Sequence, residues 1–261
     1  MGKKFEVYVD AKKLLDKLEN LNTKVKNPID VEEEVKKGIY YARKYHASQM
    51  RQSGDPYYSH PIEVTIILAE FVAEEVPKLF TSNMINAALL LHYTIEDTEL
   101  TEEMINGLFG AEVAKHVEGL TRIKPYGKIT AEESLNLLIK QKRYNTAFIK
   151  LFDRVHNIQT LGAKSPEKAK KIIEETLINF VNSLPIAAYF KIPVIKERLL
   201  FLCYQYLYPK DYQLERSLTK FQYNIPHVKP ILTVININNT PQLSKKYLTK
   251  KTSPKRGNNI H

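Results

Sequence analysis

Up to residue 207 the apolar positions recur almost everywhere at helical spacing. Asp30 can cap "VEEEVKKGIYYARKYHA", whose first turn is acidic and whose Val31, Val35, Ile39 and Ala42 share one face. Pro61 suits the first turn of "PIEVTIILAEFVAEE". Residues 84–93 are apolar on nearly all sides, the pattern of a central buried helix. Thr130 and Glu133 stand at capping-box spacing ahead of another helical run. Ser165-Pro166-Glu167 opens a further helix, and Ile195 to Leu207 forms the last. Strand patterns and a regular repeat are absent. The pattern predicts an all-α bundle of about eight helices, with short connectors apart from "MRQSGDPYYSHP".

After Pro209 the periodicity fades into a polar stretch rich in Asn, Lys, Thr and Pro, with one short strand around "ILTVI". Three regions follow: an N-terminal extension over 1–29, the helical domain over 30–208, and a basic, largely disordered tail over 209–261.

Composition refines this picture at two points. The chain of 261 residues is 43% hydrophobic, enough for a sizeable core, and carries a formal net charge of +10. From Lys210 onward ten Lys and Arg residues face only Asp211 and Glu215, so eight of those ten charges belong to the tail. The main domain is close to neutral, which argues against a nucleic-acid surface there. A solvated Lys/Asn-rich tail needs no RNA or ribosome partner, and none is assigned to it. Cys203 is the only cysteine, so no internal disulfide can form. The N-terminus lacks a secretory pattern, and no apolar run is long enough to span a bilayer. These features predict a cytoplasmic protein with no membrane partner.

Polar residues gather in three otherwise apolar stretches: "RQSGDPYYSHP" with His60, "HYTIEDT" with His92, Glu96 and Asp97, and "IKLFDRVHNIQTL" with Asp153, His156 and Asn157. Two imidazoles and a carboxylate from separate helices can hold a divalent metal. His92 and Glu96 are four residues apart and share a helix face, so a carboxylate there can orient a water or carry its proton. Each residue alone also has a structural reading. A histidine in an apolar run can be a hydrogen-bonded core residue, Asp153-Arg154 a local ion pair, and Glu96-Asp97 a solvated helix end.

The blocks "RQSGDPYYSHPIEV", "ALLLHYTIEDTELT" with "FGAEVAKHVEGLTRI", and "KLFDRVHNIQTL" resemble, in order and approximate spacing, the HD-type hydrolase domain of the RelA/SpoT family. That domain removes pyrophosphate from the 3′ position of guanosine tetra- and pentaphosphate, and the resemblance covers about residues 30–208. It implies a compact HD-domain helical bundle and a divalent metal cofactor, Mn²⁺, held by His60, His92 and Asp153. It implies that Glu96 and Asp97 position or activate the attacking water. It implies that Arg51, Ser53, Asn157 and Thr160 line the guanosine pocket. The family's synthetase domain has no counterpart before the polar tail, so a chain truncated ahead of it is expected. Where the family shows a second basic residue after the loop arginine, this chain has Gln52.

One departure bears on the chemistry. The family's His-Asp pair, whose aspartate is a metal ligand, reads His92-Tyr93 here. A phenol reaches further from the backbone than a carboxyl. With an ordinary pKa near 10, it costs about 4 kcal/mol to ionise at pH 7. Its loss of charge weakens capture of a hard cation. Three readings follow: a hydrolase with a weakened or rearranged metal site, a catalytically degenerate alarmone-binding module, and a helical protein without a ligand.

Overall fold

The computed structural model describes residues 9–46, 49–51, 54–91, 100–124, 127–181 and 194–209. Helices dominate them, in the order α1 (Val9–Asn22), α2 (Lys36–His46), α3 (Ser59–Glu75), α4 (Ser82–Leu89), α5 (Glu102–Phe109), α6 (Ala111–Leu120), α7 (Ala131–Lys140), α8 (Tyr144–Gln159), α9 (Pro166–Glu175) and α10 (Val194–Leu207). A π-helical turn, Val31–Val35, leads into α2, and another, Thr176–Val181, continues α9. The chain is all-α, as its pattern predicts.

The caps read from the sequence do their local work. Asp30 accepts a hydrogen bond from the Glu33 amide at 2.9 Å. Thr130 and Glu133 close a reciprocal capping box, and Ser165 caps α9 with Pro166 in its first turn. Each side chain satisfies backbone amides that the first helical turn leaves without partners.

The expectation of no strands needs a small correction. Ile123–Lys124 and Gly127–Lys128 form a two-stranded antiparallel ladder between α6 and α7. Strands of two residues are too short to show a period of two in the sequence. Gly127 takes a φ of +115°, a conformation that favours glycine.

α3 and α8 are the two central helices. α3 buries residues on most of its circumference, among them His60, Ile62, Val64, Ile66, Leu68 and Val72. Its run of β-branched residues is a weak helix former, so burial rather than propensity holds it helical. α8 buries Ala147, Phe148, Ile149, Leu151, Phe152, Val155 and Ile158. Phe71 of α3 meets Phe148 and Phe152 at ring-centroid distances of 5.9 and 5.2 Å, within the range of favourable aromatic pairs.

α1, which falls within the expected N-terminal extension over 1–29, lies along α3. It buries Ala11, Leu14, Leu15, Leu18 and Leu21 in the main core. Lys13 and Lys17 reach Glu63 and Glu70 of α3 at 3.0 and 2.5 Å. α5 and α6 fold against each other over a second apolar cluster that includes Ala42, Leu90, Ile105, Phe109 and Val117. The backbone of α2 packs closely on side chains of α4: a Cβ on Gly38 would run into the buried amide oxygen of Asn86.

Among the described residues no helix is long and apolar enough to cross a membrane. The expected tail beyond Pro209, with its strand around "ILTVI", lies outside the described residues.

Candidate metal and nucleotide site

His60 sits in the first turn of α3, where its backbone amide donates to the carbonyl of Tyr57 at 3.2 Å. Asp153 sits on α8, whose packing against α3 brings the two side chains together. His60 Nε2 lies 3.0 Å from Asp153 Oδ1. The imidazole is buried and the carboxylate is only 14% exposed. Asn157, one turn further along α8, donates from Nδ2 to the same Asp153 oxygen at 2.8 Å. That bond fixes the carboxylate's orientation.

His156 completes the group. Its Nδ1 lies 2.8 Å from His60 Nδ1, and its ring centroid is 4.7 Å from that of His60. Burial, then the neighbouring His60 and Arg51, hold the His156 pKa down at about 3, with Asp153 opposing. His156 is therefore a neutral imidazole at pH 7, with one nitrogen a donor and the other an acceptor.

The His60–His156 pair admits two proton arrangements. In one, His60 donates from Nε2 to Asp153 and accepts at Nδ1 from His156. In the other, His60 carries its proton on Nδ1 and donates it to His156, which leaves the Nε2 lone pair facing the Asp153 side. The second arrangement is the one a metal-ligating histidine needs, its remote N–H anchored by an acceptor.

The donors present fit a divalent cation as far as they go. Two ligands on adjacent corners of an octahedron with bonds of ~2.1 Å stand about 3.0 Å apart. The distance from His60 Nε2 to Asp153 Oδ1 matches that edge. Imidazole and carboxylate suit Mn²⁺ or a similar borderline-to-hard ion. Among the described residues no group of three His, Cys, Asp or Glu side chains converges. The remaining ligand and water-handling residues expected from the sequence, His92, Glu96 and Asp97, lie outside the described residues, as does Tyr93.

A cleft of about 280 Å³ opens beside this cluster, lined by Arg51, Asp55, Gln159, Thr160 and the turn over 162–164 that ends in Lys164. Its size is just under the ~300–1,000 Å³ usual for small-molecule sites. A short ladder holds the loop carrying Arg51. The Arg51 amide donates to the Asp55 carbonyl at 2.8 Å, the Gly54 amide to the Arg51 carbonyl at 3.0 Å, and the Tyr57 amide to the Gln49 carbonyl at 2.8 Å. Gly54 takes a φ of +88° in that turn. Thr160, the C-cap of α8, donates its hydroxyl to the His156 carbonyl at 3.0 Å.

Of the expected nucleotide residues, Arg51 and Thr160 line the cleft, Asn157 is bonded to Asp153, and Ser53 lies outside the described residues. Two contributors went unassigned in the sequence. His156 stands three residues after Asp153 on the same helix, a spacing that places the two side by side. Lys164 carries no sequence signal beyond preceding a helix cap.

A family model described as "HD domain" matches residues 38–181, more than half of the chain. The chain is 37% identical over 179 residues to the GTP pyrophosphokinase rsh of Brucella ovis, an alignment covering 66% of this chain and 22% of that protein. It is 37% identical over 199 residues to a GTP pyrophosphokinase of Myxococcus xanthus, covering 71% and 24%. It is 35% identical over 194 residues to a guanosine-3′,5′-bis(diphosphate) 3′-pyrophosphohydrolase of Aquifex aeolicus, covering 72% and 26%. The chain thus spans about a quarter of the length of these curated relatives. The match across α2 to α9, and the resemblance carried by the stretches around His60, His92 and Asp153, lead to one assignment: the chain belongs to the HD domain family, as an HD domain of the RelA/SpoT type.

Proposed function

We propose that the chain is a metal-dependent hydrolase that removes pyrophosphate from the 3′ position of guanosine tetra- or pentaphosphate in the cytoplasm. The observation that carries this reading is the buried contact of His60 Nε2 with Asp153 Oδ1 beside a cleft lined by Arg51 and Thr160. The activity for which the Aquifex relative is named, on guanosine-3′,5′-bis(diphosphate), gives the substrate class.

In this reading His60, His92 and Asp153 hold the divalent ion, Mn²⁺. When bound, the ion supplies Lewis acidity at the 3′-phosphoryl group. His156 keeps the His60 proton on Nδ1, and Asn157 keeps the Asp153 carboxylate turned toward His60. Glu96 and Asp97 orient the attacking water and take up its proton. Water adds to the phosphorus, the bond to the 3′ oxygen breaks, and GDP or GTP leaves with pyrophosphate as the second product. Arg51, Ser53 and Thr160 bind the nucleoside part.

Tyr93, standing where the family has an aspartate, favours a second reading: a module that binds the alarmone without turning it over. The two separate in one assay. Purified protein incubated with guanosine tetraphosphate and Mn²⁺ should release pyrophosphate above a chelator-treated control. Binding by calorimetry with no release sinks the hydrolase and leaves the module. Neither binding nor release sinks both.

A further inference from the structure

We propose that His46 is a positioning residue for nucleotide binding: from the end of α2 it grips both ends of the loop over 49–57 and so presets Arg51 at the cleft. The proposal rests on the alarmone reading above and gives a role to a histidine that neither the family resemblance nor the metal cluster uses.

The first argument is what His46 touches. It is the last residue of α2 and only 1% exposed. Its Nδ1 lies 2.6 Å from Gln49 Oε1. An amide oxygen can only accept, so Nδ1 carries a proton and donates it. The Gln49 backbone amide donates to the His46 carbonyl at 2.9 Å, so Gln49 is held to His46 twice. The imidazole also packs on the Tyr57 ring, with centroids 4.6 Å apart. Gln49 and Tyr57 are the two ends of the loop, and the Tyr57 amide closes it on the Gln49 carbonyl at 2.8 Å. One buried side chain therefore meets both ends. Arg43, three residues earlier on α2, lies over the Tyr58 ring at 5.5 Å and adds a second tie between this helix and the connector. Burying an imidazole is costly unless it is hydrogen-bonded. An apolar side chain would fill the same space without gripping Gln49.

The second argument is what the loop carries. Inside the closure, Met50 pairs with Pro56 in an antiparallel bridge. The Arg51 amide donates to the Asp55 carbonyl at 2.8 Å. Arg51 and Asp55 both line the cleft. Arg51 also acts on His156, whose pKa it helps to lower, so its charge is felt at the metal cluster too. Every step from His46 to Arg51 is a direct contact: imidazole to Gln49 and Tyr57, then the backbone ladder to Arg51. A loop fixed before the ligand arrives spares the ordering cost that a mobile one would meet on binding.

The test is calorimetry with guanosine tetraphosphate on the full chain, in EDTA so that the ligand stays intact, over a double-mutant cycle. His46→Ala and Arg51→Gln should each weaken binding about tenfold. Added to Arg51→Gln, His46→Ala should cost almost nothing more, because the loop then has no guanidinium to present. Gln49→Ala should reproduce the loss seen in His46→Ala. His46→Asn, which keeps an N–H near the place of Nδ1, should recover most of the affinity. Full binding by either His46→Ala or Arg51→Gln overturns the proposal, and so do losses that add to about a hundredfold in the double variant. In each of these cases wild-type binding leaves the alarmone reading standing. A wild-type chain that does not bind overturns both. Melting curves establish that each variant is folded. Should His46→Ala lose its cooperative melt, Gln49→Ala carries the same cycle with Arg51→Gln.

Discussion

Position 93 shows how much can hang on one side chain. Aspartate after His92 would offer a charged oxygen on a short arm. Tyr93 offers a neutral oxygen on a long one, and making it anionic at pH 7 costs about 4 kcal/mol. Tyr93→Asp should therefore raise Mn²⁺ affinity by at least about tenfold, near 1.4 kcal/mol, and increase pyrophosphate release. Metal titration and the release assay read the two effects, with circular dichroism to confirm folding. If another group already fills that coordination position, the gain disappears. The cysteine is a contrasting case: burial pushes the Cys203 thiol up to about 12, so it is a packing residue and not a nucleophile.

Between elements, α6 and α8 are tied by polar contacts whose strength depends on pH. His116 of α6 and Thr146 of α8 are joined at 2.7 Å. Arg143 at the start of α8 donates to Glu118 of α6 at 2.6 Å. Burial lowers the His116 pKa; Glu112 opposes this, and Arg143 and Lys115 reinforce it. The folded chain thus keeps this imidazole neutral, while the unfolded chain takes up a proton as pH falls past about 6.5. The stabilisation is whole above that pH and is lost as pH drops below it. The wild-type melting temperature should fall between pH 7.5 and 5.5, and His116→Gln should flatten part of that fall. An unchanged slope would remove His116 from the explanation. Elements were the level at which the sequence was most readable. Asp30, Thr130, Glu133 and Ser165 act on amides three residues away, so their spacing announced them. His156 acts on a residue 96 positions away, which no local pattern reports. Arg51 and Thr160 were legible only through resemblance, and Lys164 gave no signal, because a cleft built from two distant turns exists only after folding.

At the scale of the molecule, the family match begins at residue 38, yet the core begins earlier. α1 contributes four buried leucines to the core shared by α3 and α8. Each is worth ~1.5–3 kcal/mol as an upper estimate, which together rivals the ~5–15 kcal/mol stability of a typical domain. A chain beginning at residue 24 should lose its cooperative thermal transition or melt far lower, with increased binding of a hydrophobic dye. An unchanged melting curve would show that α1 is an accessory. The cluster of His60, Asp153, His156 and Asn157 has a different bearing on the whole. These four side chains hydrogen-bond one another, so they satisfy buried polar groups that would otherwise be costly. Selection for a folded chain alone would retain them. In a lineage that had ceased to hydrolyse its nucleotide, this knot would persist as a fossil of the chemistry, while positions outside it drift first. Presence of His60 and Asp153 in a descendant is thus weak testimony to activity, and the residue after His92 is the one to read for ancestry of function.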